Sequence, residues 1–434
     1  MVASMSLAPS FSIFRHQGYR HYWIARQLIS AERQMVAVAI GWQVYTLARE
    51  TRSVEESAFL LGIVGLAQFV PVFLLSLVGG QAADRYDRKM ILIVSNLVRL
   101  TAIAGLFIVS ALPASIALPC IFALAAAMGV VNAFTPAASN ALYPKLVPRD
   151  ELPLAIAWNS LGFNMAAILG PAVGGFLLQA GLQTVYATAA AMTIIAIATF
   201  WTARTPRHRT APNVRSWSMI IEGLRYVRDN KTVLGAISLD LIVVFFGGVT
   251  ALLPVFAKDI LHVGAFEFSL LRAAPAVGAA IVAVWLATRP LARKVGAWML
   301  AAVAIYGAAM LGFAFSTILL LSIVMLAVTG AADMISVYVR QSLIQLATPD
   351  EMRGRVSSVS YIFIAASNEL GEFQSGVAAR FLGPVGAVIL GGGVAIVTAM
   401  AWTRLFPALS GADRFEDAAI DRHPDHRTAL GPSP

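Results

Sequence analysis

Glu369 and Glu372 lie three residues apart in SNELGEFQSG, within a run that is otherwise apolar. On a helix that spacing puts both carboxylates on one face. Two like charges so close favour holding a proton on one of them, which is the chemistry a proton-driven machine requires. Asn368 sits beside them. Other apolar runs carry ionisable groups as well: Glu32 and Arg33, with Gln34 and Gln43 further on, then Asp240, then Asp333 and Arg340. Asp333 and Arg340 are seven residues apart, hence on one helix face and expected in one hydrogen-bonded network. An ionisable group inside a membrane-crossing segment is costly, so each is a functional candidate. Glu32 has two readings, a proton carrier or half of a structural pair with a basic group on another helix, because adjacent Arg33 points elsewhere. Asp240 is expected near a cytoplasmic helix end, where water reaches it, in a structural or gating role. Arg99 and Arg272 are expected close enough to span ends for their heads to reach water.

A second cluster has mixed sign. GGQAADRYDRKMIL packs Asp84, Arg85, Asp87, Arg88 and Lys89 between two runs that are nearly free of charge. Basic residues there would orient a membrane protein, but acidic residues contribute little to orientation, so the aspartates need another role. Enzyme chemistry has no such foothold. There is no Gly-Lys-Ser/Thr phosphate loop, no His-Glu-x-x-His, no nucleophile elbow and a single cysteine, Cys120; the six histidines lie in loops and tails. The chain reads as a non-enzyme with no metal and no cofactor.

The elements that position these groups follow from composition. Of 434 residues, 58% are hydrophobic and 13% charged, about half the charge of a soluble domain. Apolar runs of about 20 residues recur, each long enough to cross roughly 30 Å of hydrocarbon. Twelve helical spans are expected, at 22–47, 57–80, 90–112, 115–140, 153–179, 182–203, 233–257, 268–288, 297–314, 317–345, 356–381 and 384–406. Barrel strands would be shorter and strictly alternating. The opening MVASMSLAPSFSIFRHQGYRHYW lacks the order of a secretory signal, so the first span is expected to be retained. Loops on one side carry Arg85, Arg88 and Lys89, Lys145 and Arg149, the basic linker, Arg289, Arg293 and Lys294, and Arg353 and Arg355. The opposite side has only Arg49, Arg52, Lys258 and Arg380. The basic side is therefore cytoplasmic and both termini lie there. This also accounts for the net charge of +9 without nucleic acid.

Between spans 6 and 7, TARTPRHRTAPNVRSWSMIIEGLRYVRDNKTV begins polar and ends as a short amphipathic helix with Ile220, Ile221, Leu224 and Val227 on one face. It divides the chain six plus six. LVPRDEL (146–152) after span 4 matches LATPDEM (346–352) after span 10, and the basic loop after span 2 has a weaker counterpart in RPLARKVG (289–296). Such internal symmetry belongs to transporters, with cargo held between the halves.

In that setting Gly80, Asp84, Arg85, Arg88 and Lys89 resemble the loop signature of the major facilitator superfamily. GWQVYTLARE, YPKLVPRDELPLAIAWNS, EGLRYVRDNK, GGVTALLPVFAKDIL, LLRAAPAVGA and RQSLIQLATPDEMRGRVSSVS are similar to its branch of enterobactin exporters and transmembrane secretion effectors. Asp87 stands where the pattern often has glycine. The resemblance implies that the loop latches the two halves, with a carboxylate such as Asp84 near a helix N-terminus and arginines neutralising the rest. Gly170, Pro171, Gly174 and Gly175 in span 5 resemble the second half of an antiporter motif, whose upstream glycine is Ala166 here. Close helix packing explains them equally well.

The expected fold is all-α, a polytopic membrane protein of twelve helices in two pseudo-symmetric six-helix bundles. The divisions are a cytoplasmic segment 1–21, a bundle 22–203, a linker 204–232, a bundle 233–406 and a disordered cytoplasmic tail 407–434. The implied function is proton-coupled export of a small organic molecule, siderophore- or drug-like, by a monomer in the bacterial inner membrane. Its partners are then the cargo, protons and the lipid bilayer. An importer or facilitator on the same fold, or a non-transporting receptor, are the rival readings.

Overall fold

The computed structural model describes residues 11–205 and 217–415. Segments 1–10, 206–216 and 416–434, which take parts of the expected N-terminal segment, linker and tail, lie outside the described residues. In chain order the helices are α1 (Gln17–Arg49), α2 (Val54–Arg85), α3 (Arg88–Val109), α4 (Ala114–Leu142), α5 (Leu152–Leu178), α6 (Leu182–Thr202) and α7 (Trp217–Asp229). Then come α8 (Lys231–Phe246), α9 (Leu253–Val255), α10 (Ala265–Thr288), α11 (Val295–Ala314), α12 (Leu319–Ala347), α13 (Asp350–Leu405) and α14 (Pro407–Ser410).

Among the described residues, ten helices are long and apolar enough to cross a membrane. α1 has the length but carries Arg20, His21, Arg26, Glu32 and Arg33. α13 is two spans joined at Gly383, whose φ of 75° suits glycine and is followed by Pro384. Counting α1 and both parts of α13 gives the twelve spans that the apolar runs predict.

The chain divides into two units, Met1–Val214 with Leu253–Ala273, and Arg215–Leu252 with Ala274–Pro434. The first contains α1 to α6, α9, a π-helical turn at Phe256–Ile260 and the start of α10. The second contains α7, α8, the rest of α10, and α11 to α14.

Each unit repeats one packing device. In the first, a Cβ on Gly79 of α2 would fall 2.3 Å from the Ala133 carbonyl of α4, and one on Gly129 of α4 would fall 2.3 Å from the Gln68 carbonyl of α2. In the second, a Cβ on Gly278 of α10 would fall 1.8 Å from the Ala327 carbonyl of α12, and one on Gly330 of α12 would fall 1.9 Å from the Pro275 carbonyl of α10. Spans 2 and 4, and spans 8 and 10, thus approach backbone to backbone, which small residues allow without a hydrophobic driving force in lipid. The internal symmetry read from the loops extends into the helices.

Two boundaries differ from the expectation. Ahead of α1 the turn Phe11–Arg15 seats Phe14 against Trp23 and Trp158, with ring centroids 5.1 and 4.9 Å apart. Arg15 and His16 both reach Glu151. At the other end 407–415 is folded, with Phe415 against Tyr338 and Asp413 on the loop before α11. That acid accepts from Lys294 N at 3.1 Å and Arg293 Nε at 3.2 Å, while Ala412 O accepts from Gly296 N at 3.1 Å. Polarity alone hid this, since the segment serves as a cap. In α7, Val227 is buried and Glu222 pairs with Arg355 at 2.6 Å, while Ile221 and Leu224 stay exposed.

Candidate functional site

Among the described residues, each unit holds one buried ion pair between helices. Glu32 on α1 is fully buried, and its Oε2 accepts from Arg99 Nη1 of α3 at 3.4 Å. Arg99 Nη2 donates to Asn132 Oδ1 of α4 at 3.0 Å, so three helices meet at one guanidinium. Neither Glu32 Oε1 nor Arg99 Nε has a protein partner. The expectation that Arg99 reaches water is wrong. It lies in the middle of the 22-residue α3 and is only 3% exposed, too far from either end to escape. Arg33 is exposed, unlike its buried neighbour Glu32.

In the second unit Asp240 of α8 forms an ion pair with Arg340 of α12, Oδ1 to Nη2 at 3.2 Å. Asp240 is buried rather than easily solvated, because α12 covers it, and Arg340 is 2% exposed. Arg340 therefore bonds Asp240 across helices, not Asp333 along its own. Asp333 remains within electrostatic reach of Arg340 and Asp240, and of Tyr306 on α11, yet its side chain is exposed. Arg340 Nε and Nη1 have no protein partner.

Span 7 is interrupted at Gly247–Gly248, between α8 and a 3-10 turn at Val249–Leu252. Tyr306 donates its hydroxyl to the Gly247 carbonyl at 3.1 Å, satisfying backbone that the break frees. Gly248 lies against the Gly371 carbonyl of α13, and Thr250 donates to Glu372 Oε1 at 3.5 Å. Glu369 and Glu372 are both partly buried; Asn368 is exposed and bonds the Ile364 carbonyl of its own helix at 3.0 Å. The structure thus places Glu372 beside an interrupted span, a setting that in transporters surrounds ion and cargo sites.

The charged loop has its roles distributed differently from the expectation. Asp84 lies in the last turn of α2, not at a helix N-terminus. Asp87 is the acid that caps a helix, accepting from Met90 N at 3.1 Å at the start of α3. An aspartate in place of glycine is explained by that cap. Arg88 is buried and returns to the Ala83 carbonyl at 3.1 Å. Lys89 Nζ takes the Trp201 and Ala203 carbonyls at 2.7 and 2.9 Å, closing the C-terminus of α6. Arg85 is exposed and Gly80 is partly exposed, whereas neighbouring Gly79 makes the close approach to α4.

The span 5 residues are packing surfaces for α1. Gly170 faces Gln34 and Ala31, Gly174 faces Met35, and Gly175 faces Ser269 at the start of α10. Pro171 is buried with them. Sequence reasoning missed a polar cluster at the far end of α1. Asp259 there accepts from Tyr45 and from Arg49 Nη2, the latter at 3.1 Å. Lys258 bonds Thr46 Oγ1 at 2.8 Å and lies 4.9 Å from the Trp42 ring centroid. The signal was the Lys258–Asp259 dipeptide at the end of an apolar run. Among the described residues no group of His, Cys, Asp and Glu has the geometry of a metal site.

Residues 8–429 match the family model described as transmembrane secretion effector. Enterobactin exporter EntS of Salmonella typhi is 28% identical over 389 residues, covering 87% of this chain and 91% of that protein. The exporter of the same name from Citrobacter koseri is 27% identical over 377 residues, covering 86% of each. A solved D-xylose–proton symporter superposes with a TM-score of 0.71 at 11% identity, over 92% of this chain and 99% of that one, a likeness of fold.

Proposed function

The chain belongs to the transmembrane secretion effector family of major facilitator transporters, and from that membership we propose that it is an exporter of a small organic molecule, driven by protons moving inward. It is a multi-pass membrane transporter and not an enzyme. The observation that carries the export reading is the match to relatives named as enterobactin exporters over most of both chains. A siderophore- or drug-like cargo follows from the same likeness. The membrane is the bacterial inner membrane, with both termini in the cytoplasm and one chain as the working unit.

Alternating access needs a group whose binding differs between two states, since a ligand shifts an equilibrium only through differential affinity. The buried pair Glu32–Arg99 fits fixed charges that hold the first bundle together, and Asp240–Arg340 ties α8 to α12 in the second. Glu369 and Glu372, partly buried beside the interrupted span, fit a group that takes and releases a proton. In the charged loop Arg88 and Lys89 are committed to helix ends, so the latch between halves rests on Asp84 and Arg85. The small residues of α5 serve helix packing.

The test is secretion by cells. A strain lacking its own enterobactin exporter is expected to release more enterobactin when it expresses this chain, and the gain should vanish with the Arg85→Ala variant. Release equal to that of the empty vector would remove enterobactin as cargo. Accumulation from the medium instead would reverse the direction.

A further inference from the structure

Asp333 occupies an unusual place on α12. The lipid-exposed residues of that helix near its start are Leu320, Leu321 and Val324. Asp333 is nine residues beyond Val324, about 180° around the helix, so it points into the bundle and not at lipid. Its neighbours on that inner face, Leu326, Thr329, Arg340 and Ile344, are buried, whereas Asp333 alone among them is exposed. The accessible surface therefore lies on the face of α12 opposite Val324, halfway along a 29-residue span.

The surroundings fit a group that changes charge. Side chains on a helix lean toward its N-terminus, so Arg340 reaches back along α12 in the direction of Asp333. One of its nitrogens is held by Asp240, while Nε and Nη1 are buried without a protein partner. A buried donor without a partner costs about 1–3 kcal/mol, so these N–H groups favour a negative charge that can approach them. The charged and titratable groups facing Asp333 are Asp240 on α8, Tyr306 on α11 and Arg340 on α12. α10 approaches α12 through Pro275 and Gly278, which carry no charge, and α13 brings Glu369 and Glu372 to the same unit.

We propose that Asp333 is the proton-accepting carboxylate of the second unit, and that Arg340 relays its charge to α8. Ionised, Asp333 competes with Asp240 for Arg340 and draws on its unused N–H groups. When its exposed carboxylate binds a proton, the competition ends and Arg340 belongs to Asp240. The proton thereby sets how tightly α12 is tied to α8. This rests on the proton-driven reading and moves its coupling residue from α13 to α12.

The test uses the purified full-length protein in lipid nanodiscs and infrared difference spectra between acid and alkaline buffer. A protonated-carboxyl band is expected to be lost in Asp333→Asn and to return, shifted, in Asp333→Glu. Circular dichroism and size-exclusion profiles of both variants establish that they are folded. A fluorescent carbodiimide, which attacks protonated carboxyls, is expected to label Asp333 in preference to Asp240 and Glu32, as mapped on peptides. An unchanged band in Asp333→Asn, or label on Glu369 or Glu372 in place of Asp333, overturns the assignment. Flux independent of a proton gradient in the wild type, with the Asp333 band present, would instead sink the proton-driven reading and leave the proton site standing.

Discussion

Glu32 on α1 and Arg99 on α3 form an ion pair at 3.4 Å in which neither side chain reaches solvent. Such a pair is held by mutual attraction against a large desolvation penalty, so removing one partner is far worse than removing both. Arg99→Leu is expected to lower stability by about 3–5 kcal/mol, and Glu32→Leu/Arg99→Leu to recover most of it. Unfolding midpoints of the single and double variants in detergent measure the difference. Equal losses in Arg99→Leu and the double variant would show that the charge pairing is not what matters.

The charged loop is expected to separate into structural and functional members. Lys89→Met removes the cap from the last carbonyls of α6 and is expected to destabilise by about 1 kcal/mol while flux per folded molecule persists. Arg85→Ala is expected to do the reverse, leaving the unfolding midpoint in place and reducing flux. A midpoint measurement beside a transport assay for each variant distinguishes these outcomes.

Gly129 and Gly330 occupy matching places in α4 and α12, each with a carbonyl of the neighbouring helix where a Cβ would go. Backbone cannot move aside as a side chain can. Gly129→Val and Gly330→Val are each expected to cost about 1–3 kcal/mol or to block insertion. The yield of monodisperse protein reads this directly. Tolerance at one position and failure at the other would break the proposed equivalence of the two units.

Asp413 links pH to the seating of 407–415. Slight desolvation pushes its carboxyl up, but hydrogen bonds from Arg293 and Lys294 N–H, and the charges of Arg293 and Arg414, hold it below its usual value. A lowered folded value stabilises fully above the ordinary aspartate range, about 3.9, and the gain is lost as pH falls through the folded value. Wild type is therefore expected to exceed Asp413→Asn in unfolding midpoint at neutral pH, with the gap closing in acid. A gap that stays constant would assign the effect to shape rather than charge.

The spans were legible because hydrocarbon thickness dictates apolar runs near one length, and the loops because basic residues collect on one side. The division of labour inside the charged loop was not. Asp84 and Asp87 look alike in sequence, and only the end of α2 at Arg85 and the start of α3 at Arg88 decide which of them caps. Arg99 and Asp240 were misplaced because burial depends on the helix packed against each, which periodicity along one helix does not contain. The interruption of span 7 was written as Gly247–Gly248, yet the apolar run read straight through it. Arg340 likewise found its partner on α8, a choice hidden from any reading along α12.

Exchange of protons for cargo is measurable in inverted membrane vesicles. In such vesicles the cytoplasmic face is outside, so an exporter loads them. With an acid interior and radiolabelled enterobactin as the probe, vesicles bearing this chain are expected to accumulate label and to lose that accumulation on addition of a protonophore. Accumulation that is unchanged by the protonophore would contradict the account.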